Sequence, residues 1–204
     1  MPNRYERACG YAFHRLSEEA KDKVLERERE SIVDFDWWEN VYEDAKRMGA
    51  LIGIEINEIS FTGFWSQGDG ACFNGRYSHK ADAVKAITAE CGGQDAELIR
   101  IAAELTVLQT TWQLLHGFMF ECTVHTTNGN YSHSGTMQTG YDDDDDRPTE
   151  VLDMDRAIER LLRDFADWIY RQLEAEYEHL TSDESCIARL EDSGLRFDSS
   201  GAIL

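Results

Sequence analysis

An α+β fold is the class this sequence predicts: an antiparallel sheet with long amphipathic helices packed on one of its faces. Three observations point there. Helical three-and-four spacing and strand-like alternation come in separate runs rather than in strict succession. Asn128-Gly129, flanked by alternating apolar residues, is a strong signal for a tight hairpin. With 42% hydrophobic and 11% aromatic residues, the chain has enough apolar side chains for a core despite its charge.

The elements follow in order. Leu16 to Glu30 is a charged helical segment, with Ser17, Glu18 and Glu19 suited to a helix start. Its apolar stripe is narrow: Leu16, Ala20, Val24 and Leu25. Trp37 to Ile52 is a second helix, with Trp38, Val41, Tyr42, Ala45, Met48 and Ile52 on one face and Gly53 as its stop. The period then switches. Ile54 and Ile56 alternate with polar residues, as do Ile59 and Phe61, but the phase slips by one between the pairs, which predicts a β-bulge. A glycine-rich loop leads to a strand at Ala71 to Tyr77. Helices at about His79 to Glu90 and Gln94 to Leu115 follow, punctuated by Gly92 and Gly93.

Gly117 to Gln138 reads as a hairpin. A two-residue turn would set Thr127 opposite Asn130, with Phe118, Phe120, Cys122 and Val124 on one face alongside Tyr131, His133 and Met137. Glu121, Thr123 and His125 then share the other face with Ser132, Ser134, Thr136 and Gln138, so helices cover one side only. The longest helix, about Glu150 to His179, carries the stripe Ile158, Leu161, Leu162, Phe165, Trp168, Ile169, Leu173 and Tyr177. A short helix at Thr181 to Glu191 and a small hairpin at Leu195 to Leu204 complete the chain. The expected core includes Trp38, Phe61, Phe118, Phe120, Phe165, Trp168 and Ile169. The expected organisation is a charged helical segment, 1–35, followed by one α+β domain, 36–204, with an acidic loop at 140–150.

Several function classes lose support. The N-terminal residues lack the apolar run of a secretory signal, and no stretch is apolar enough to span a membrane, so a cytoplasmic protein is expected. Cys9, Cys72, Cys91, Cys122 and Cys186 are odd in number and unpaired in spacing, which predicts reduced thiols rather than disulfides or zinc ligands. His79, His116, His125 and His133 fall in no metal-binding pattern, and the predicted register sets His125 and His133 on opposite faces. No cofactor is expected. Ser66, Cys72 and Cys122 are nucleophiles by type alone, with no adjacent base marked. Direct nucleic-acid binding lacks a basic cluster.

Two features remain. The loop Gln67-Gly68-Asp69-Gly70, inside Phe64 to Ala71, allows close backbone approach to a ligand, or a turn in which Asp69 bonds its own backbone. It is neither a P-loop nor a dinucleotide fingerprint. The second feature is charge. Forty acidic residues against twenty basic ones leave a net charge of -20, well beyond what solubility requires. The surplus peaks at Asp142, Asp143, Asp144, Asp145 and Asp146 and continues along the longest helix through Asp153 and Asp155. Gly140 to Leu204 holds 19 acidic and 7 basic residues, a balance of -12. Duplex DNA carries about one negative charge per 1.7 Å of axis. A carboxylate-lined helix beside an Asp run imitates that density, so the expected partner is the basic surface of a nucleic-acid-binding protein or a toxin. The plainer alternative is a solvated acidic face.

The segments IEINEISFTGFWSQGDGACF, from Ile54, and FADWIYRQLEAEYEHLTSDE, from Phe165, resemble a widespread family of phage and prophage proteins often labelled "antitoxin of toxin–antitoxin stability system". The resemblance spans about Asp36 to the C-terminus, and the Gln67 to Gly70 loop is its most specific mark. It implies no catalytic residue. It implies phage origin, and joined to the acidic charge it leads to the expectation of a non-enzymatic protein acting in the host cell, inhibiting a host defence complex in the manner of an anti-CRISPR or capping a basic toxin. The alternative is a hydrolase or nucleotide-binding enzyme centred on the Gln67-Gly68-Asp69-Gly70 loop. An apolar contact patch is expected near Trp37 or Trp65, for a homodimer or for the target.

Overall fold

The computed structural model describes residues 10–127, 132–140 and 149–204. Among these, six α-helices and four strands make an α+β fold. They are α1 (Glu18–Val33), α2 (Glu39–Leu51), β1 (Ile54–Phe61), β2 (Ala71–Tyr77), α3 (Ala83–Glu90), α4 (Ala96–His116), β3 (Cys122–Thr126), β4 (Met137–Gly140), α5 (Thr149–Thr181) and α6 (Asp183–Asp192). The chain divides into two compact units, Met1–Glu39 with Ala175–Leu204, and Asn40–Glu174. The sequence reading placed 36–204 in one domain; residues 175–204 instead group with the N-terminal segment, whose helix lacks enough apolar surface to stand alone.

In that first unit, Ser17 caps α1 by accepting the Ala20 amide at 3.3 Å. The narrow stripe is real: Leu16, Ala20, Val24 and Leu25 are buried in a cluster with Phe13, Cys186, Leu190 and Phe197. Around this small core, Arg189 pairs with Glu28 at 3.1 Å and Arg29 pairs with Asp183. The C-terminal hairpin forms through Phe197 and Ile203, and Phe197 also bridges to Tyr11.

The second unit is built on a four-stranded sheet in the order β1-β2-β3-β4, antiparallel throughout. The predicted bulge is present: the β1–β2 register shifts between Ile56 and Glu58. That extra residue keeps Ile54, Ile56 and Ile59 all buried, although their spacing breaks strict alternation. Opposite the bulge sits Gly75, where a Cβ would lie 2.0 Å from the Glu55 carbonyl oxygen. The core face holds Ile54, Ile59, Phe73, Tyr77 and Val124, all buried, as are the α4 residues Leu98, Ile101 and Leu105 and the α5 residues Ile158, Leu161, Phe165 and Ile169. Phe165 meets Phe73 edge-on at 6.0 Å, which ties α5 to the sheet. On the other face Glu55, Arg76, His125 and Gln138 are exposed. Cys72 also points that way yet is buried, because Ser132, His133 and Thr136 hydrogen-bond around it.

The β3–β4 hairpin exists, but its register is not the expected one. Thr126 faces Met137 rather than Tyr131, a slide of six residues. The Asn128-Gly129 turn lies outside the described residues. What lengthens the connection is a 3₁₀ turn at Ser134–Thr136, held by the His133 imidazole accepting the Gly135 amide at 2.8 Å and by Thr127 donating to the Thr136 carbonyl at 2.8 Å. An even slide preserves facing, so Val124 and Met137 still share the core side and His125 the outer side. Phe118 is a further correction. Helix α4 runs on to His116 and ends at Gly117, whose φ of +81° marks a left-handed cap, so Phe118 falls in the connection and is 58% exposed rather than core. Trp38 and Phe61 are half-buried, whereas Phe120, Phe165, Trp168 and Ile169 are buried as expected.

One buried polar residue escaped the sequence reading. Gln109 is fully buried on α4, donating to the Phe120 carbonyl at 2.7 Å and accepting its amide at 2.9 Å. It satisfies both backbone groups just before β3 begins, where no neighbouring strand does so. Gln109→Leu keeps the volume but orphans a buried donor and a buried acceptor, so we expect a loss of about 2–4 kcal/mol by urea denaturation. Thr110→Ala, one residue away and exposed, serves as control and should stay within about 0.5 kcal/mol.

Alkaline pH tests the same core. Burial pushes the Tyr77 and Tyr42 hydroxyls up to about 12. In the unfolded chain both ionise near the ordinary tyrosine value of 10.0. The native state therefore binds more protons between those values, and the stability contribution, complete below the lower one, is lost as pH rises towards the upper one. Phenolate absorbance should show Tyr42 and Tyr77 titrating late, with Tyr170 also shifted upward by burial, and Tyr77→Phe should remove one late titration and flatten the loss of stability.

Candidate interaction surfaces

The glycine-rich loop joins β1 to β2 and is closed by the Thr62 amide donating to the Gly70 carbonyl at 3.0 Å. Within it, Asp69 turns back on its own chain. Its Oδ2 accepts the amides of Trp65 at 2.8 Å and Ser66 at 2.6 Å. This is the Asx-type turn that aspartate forms readily. Gly68 has φ +102°, with open space around the position of a Cβ, so its need is conformational. Gly70 is needed for space instead, since a Cβ there would sit 3.0 Å from the His133 ring. Gln67 is exposed at the tip.

Aromatic rings anchor this loop to α5. Phe64 stacks on Phe61 at 5.8 Å and lies 5.5 Å from Tyr170, whose hydroxyl donates to the Gly63 carbonyl at 2.9 Å. Trp65 touches Phe64 edge-on at 6.0 Å and is 77% exposed. The result is a held loop presenting an indole. Trp37, expected on a helix beside Trp38, lies before α2 begins. It is half-buried, edge-on to Trp38 at 5.8 Å and 5.6 Å from Tyr177. Trp37 and Trp65 belong to different units.

Asp142, Asp143, Asp144, Asp145 and Asp146 lie outside the described residues. Of the two further acidic positions, Asp153 is exposed and 3.6 Å from Arg156. Asp155 turns inward and accepts the Thr139 hydroxyl. It belongs to a seal along the edge strand that spacing alone did not reveal. Glu159 accepts the Thr139 amide at 3.1 Å, and Arg163 donates to the Met137 carbonyl at 2.7 Å while pairing with Glu159 at 2.7 Å. Side chains of α5 thus take backbone groups that β4 would otherwise offer to another strand. Asp155 is in part structural.

The cations are largely spoken for. Lys21, Lys23, Arg29, Arg47, Arg76, Arg100, Arg156, Arg160, Arg163, Arg171 and Arg189 all lie within ion-pair distance of the chain's own carboxylates. Arg100 alone engages Glu104 at 2.9 Å and Asp164 at 2.7 Å. With forty acids to twenty bases, one-to-one pairing still leaves half the carboxylates unmatched, Asp167 and Glu178 among the exposed ones on α5. Among the described residues, no group of three or more His, Cys, Asp or Glu side chains converges as a metal site requires, and no helix is long and apolar enough to cross a membrane.

The sequence reading also missed an apolar surface. Val107, Leu114 and Leu115 on α4 are 64%, 82% and 73% exposed, next to Phe118. The available signal was the uncharged stretch from Leu105 to Phe120 in a chain that is 29% charged.

A family model described as Domain of unknown function (DUF8835) matches residues 37–183. No curated protein and no solved structure matches the chain.

Proposed function

We propose that this chain, which belongs to the DUF8835 family, is a non-catalytic binding protein whose anionic surface occupies a basic, nucleic-acid-binding surface of another protein. The observation that carries this reading is the carboxylate surplus that persists after the cations are paired internally. Such a surface competes with nucleic acid by presenting comparable charge density. Taken with the resemblance of the Ile54 and Phe165 segments to phage proteins, it supports a phage-encoded inhibitor of a host defence complex, anti-CRISPR-like in action, with capping of a basic toxin as the related form. Asp69 closing its own turn supports a structural role for the Gln67 to Gly70 loop, with the exposed Trp65 as a contact residue.

The test has two steps. Pull-down from host cells identifies the partner, and DNA displacement from that partner is then measured against salt. Charge-driven binding should weaken steeply as ionic strength rises. Asp69→Asn removes a charge but keeps an acceptor for the two amides. It should leave displacement unchanged, and its loss would move the function to the loop.

A further inference from the structure

We infer that α4 pairs with the α4 of a second copy of this chain, antiparallel, about a two-fold axis near Thr111. Glu104, Val107, Thr111 and Leu114 succeed one another by three and four residues, the spacing of a helix-pairing seam, and Phe118 follows just past the Gly117 cap. This seam faces solvent: Val107 is 64%, Leu114 82% and Phe118 58% exposed, with Leu115 beside it at 73%. Opposite, Leu98, Ile101, Leu105, Gln109 and Trp112 bury the other side of the same helix. No described residue covers the seam.

Charge selects the occupant. A copy carrying -20 repels another copy over most of its surface. The stretch from Leu105 to Phe120 holds no Asp, Glu, Lys or Arg. At its edge, Glu104 lies within ion-pair distance of Arg100 at 2.9 Å and of Arg160 at 3.8 Å. A basic partner gains nothing electrostatic from this face, whereas a second copy finds an uncharged helical strip along which like charges stand apart. Antiparallel pairing about Thr111 sets Val107 of one copy against Leu115 of the other, so the face is self-complementary, as a two-fold contact demands. Its four exposed apolar residues offer roughly 500 Å² of accessible surface, near the upper end for one patch on a monomer. With the exposed Thr110, Thr111 and Gln113, the face approaches the roughly 800 Å² per partner of a standard interface.

Sedimentation equilibrium of the full chain tests this. A dimer is expected at about 10 μM, strengthening between about 0.05 and 0.5 M salt as repulsion is screened. Val107→Glu with Leu114→Glu places like charges across the axis and should weaken association at least about tenfold. Because both sites are exposed, an unchanged far-UV circular dichroism spectrum should confirm that the fold is intact, while the melting temperature should fall only by the share that dimerisation adds. Three results overturn the inference: a monomer at about 100 μM in 0.5 M salt, well above the concentration expected to saturate such an interface, a dimer that survives both substitutions, or one lost instead with Trp65→Ala.

Discussion

Gly75→Ala is expected to cost roughly 3 kcal/mol or more, a large share of the 5–15 kcal/mol that holds a domain folded. The reason is position rather than propensity. A Cβ at residue 75 would lie 2.0 Å from the Glu55 carbonyl oxygen, 3.0 Å from its carbon and 3.2 Å from the Ile56 Cα. All three are backbone atoms of β1, so no side chain can swing aside. Gly75 pairs with both neighbours in the sheet, with Ile56 on β1 and Val124 on β3. Any shift that makes room therefore strains two ladders. The expected result is a lower urea midpoint at unchanged slope. Arg76→Ala, one residue on and exposed, removes only its surface pair with Glu121 and should cost less than about 1 kcal/mol. A Gly75→Ala protein as stable as Arg76→Ala would refute this account of the bulge.

The bulge itself was legible, because the slip in phase between Ile56 and Ile59 is a statement about side-chain facing and needs nothing from elsewhere in the chain. The glycine that accommodates it was not, because closeness of approach depends on a partner strand whose register local pattern does not carry. The β3–β4 hairpin divides the same way. Alternation from Phe120 to Val124 specified which residues face the core, and an even slide left that intact. The turn signal at Asn128-Gly129 did not set the register, because the 3₁₀ turn at Ser134–Thr136 intervenes. Phe118 was assigned to the core on strand alternation, yet Gly117 ends α4 immediately before it and leaves it outside β3.

The candidate surfaces were legible where they rest on composition. Net charge needs no fold, and an aspartate between glycines announces its own turn. Asp155 shows the limit. Its charge was plain, but its bond to Thr139 joins positions sixteen residues apart through the sheet edge, so a carboxylate counted as free surface also serves the fold. The exposed seam of α4 was hidden for a related reason. Apolar residues on a helix read as core until both of its sides can be counted, and α4 is apolar on both.

Replacing Asp142 to Asp146 together by serine is expected to weaken target binding by about 10- to 100-fold at ~0.1 M salt, with no loss of stability. The substitution moves the net charge from -20 to -15 and the balance of Gly140 to Leu204 from -12 to -7. Its main effect should fall on the association rate, which a concentrated field accelerates, and on the salt dependence, which should become shallower. Thermal stability should hold or rise slightly, because removing like charge relieves self-repulsion. Salt then separates the two associations proposed for this chain: the acid-driven complex weakens with ionic strength, while self-pairing through α4 strengthens. DNA displacement from the isolated target, measured for both proteins across salt, decides the matter. Undiminished displacement by the five-serine protein at every salt concentration, with Asp69→Asn inactive, would remove the acidic run from the mechanism and place it at the loop.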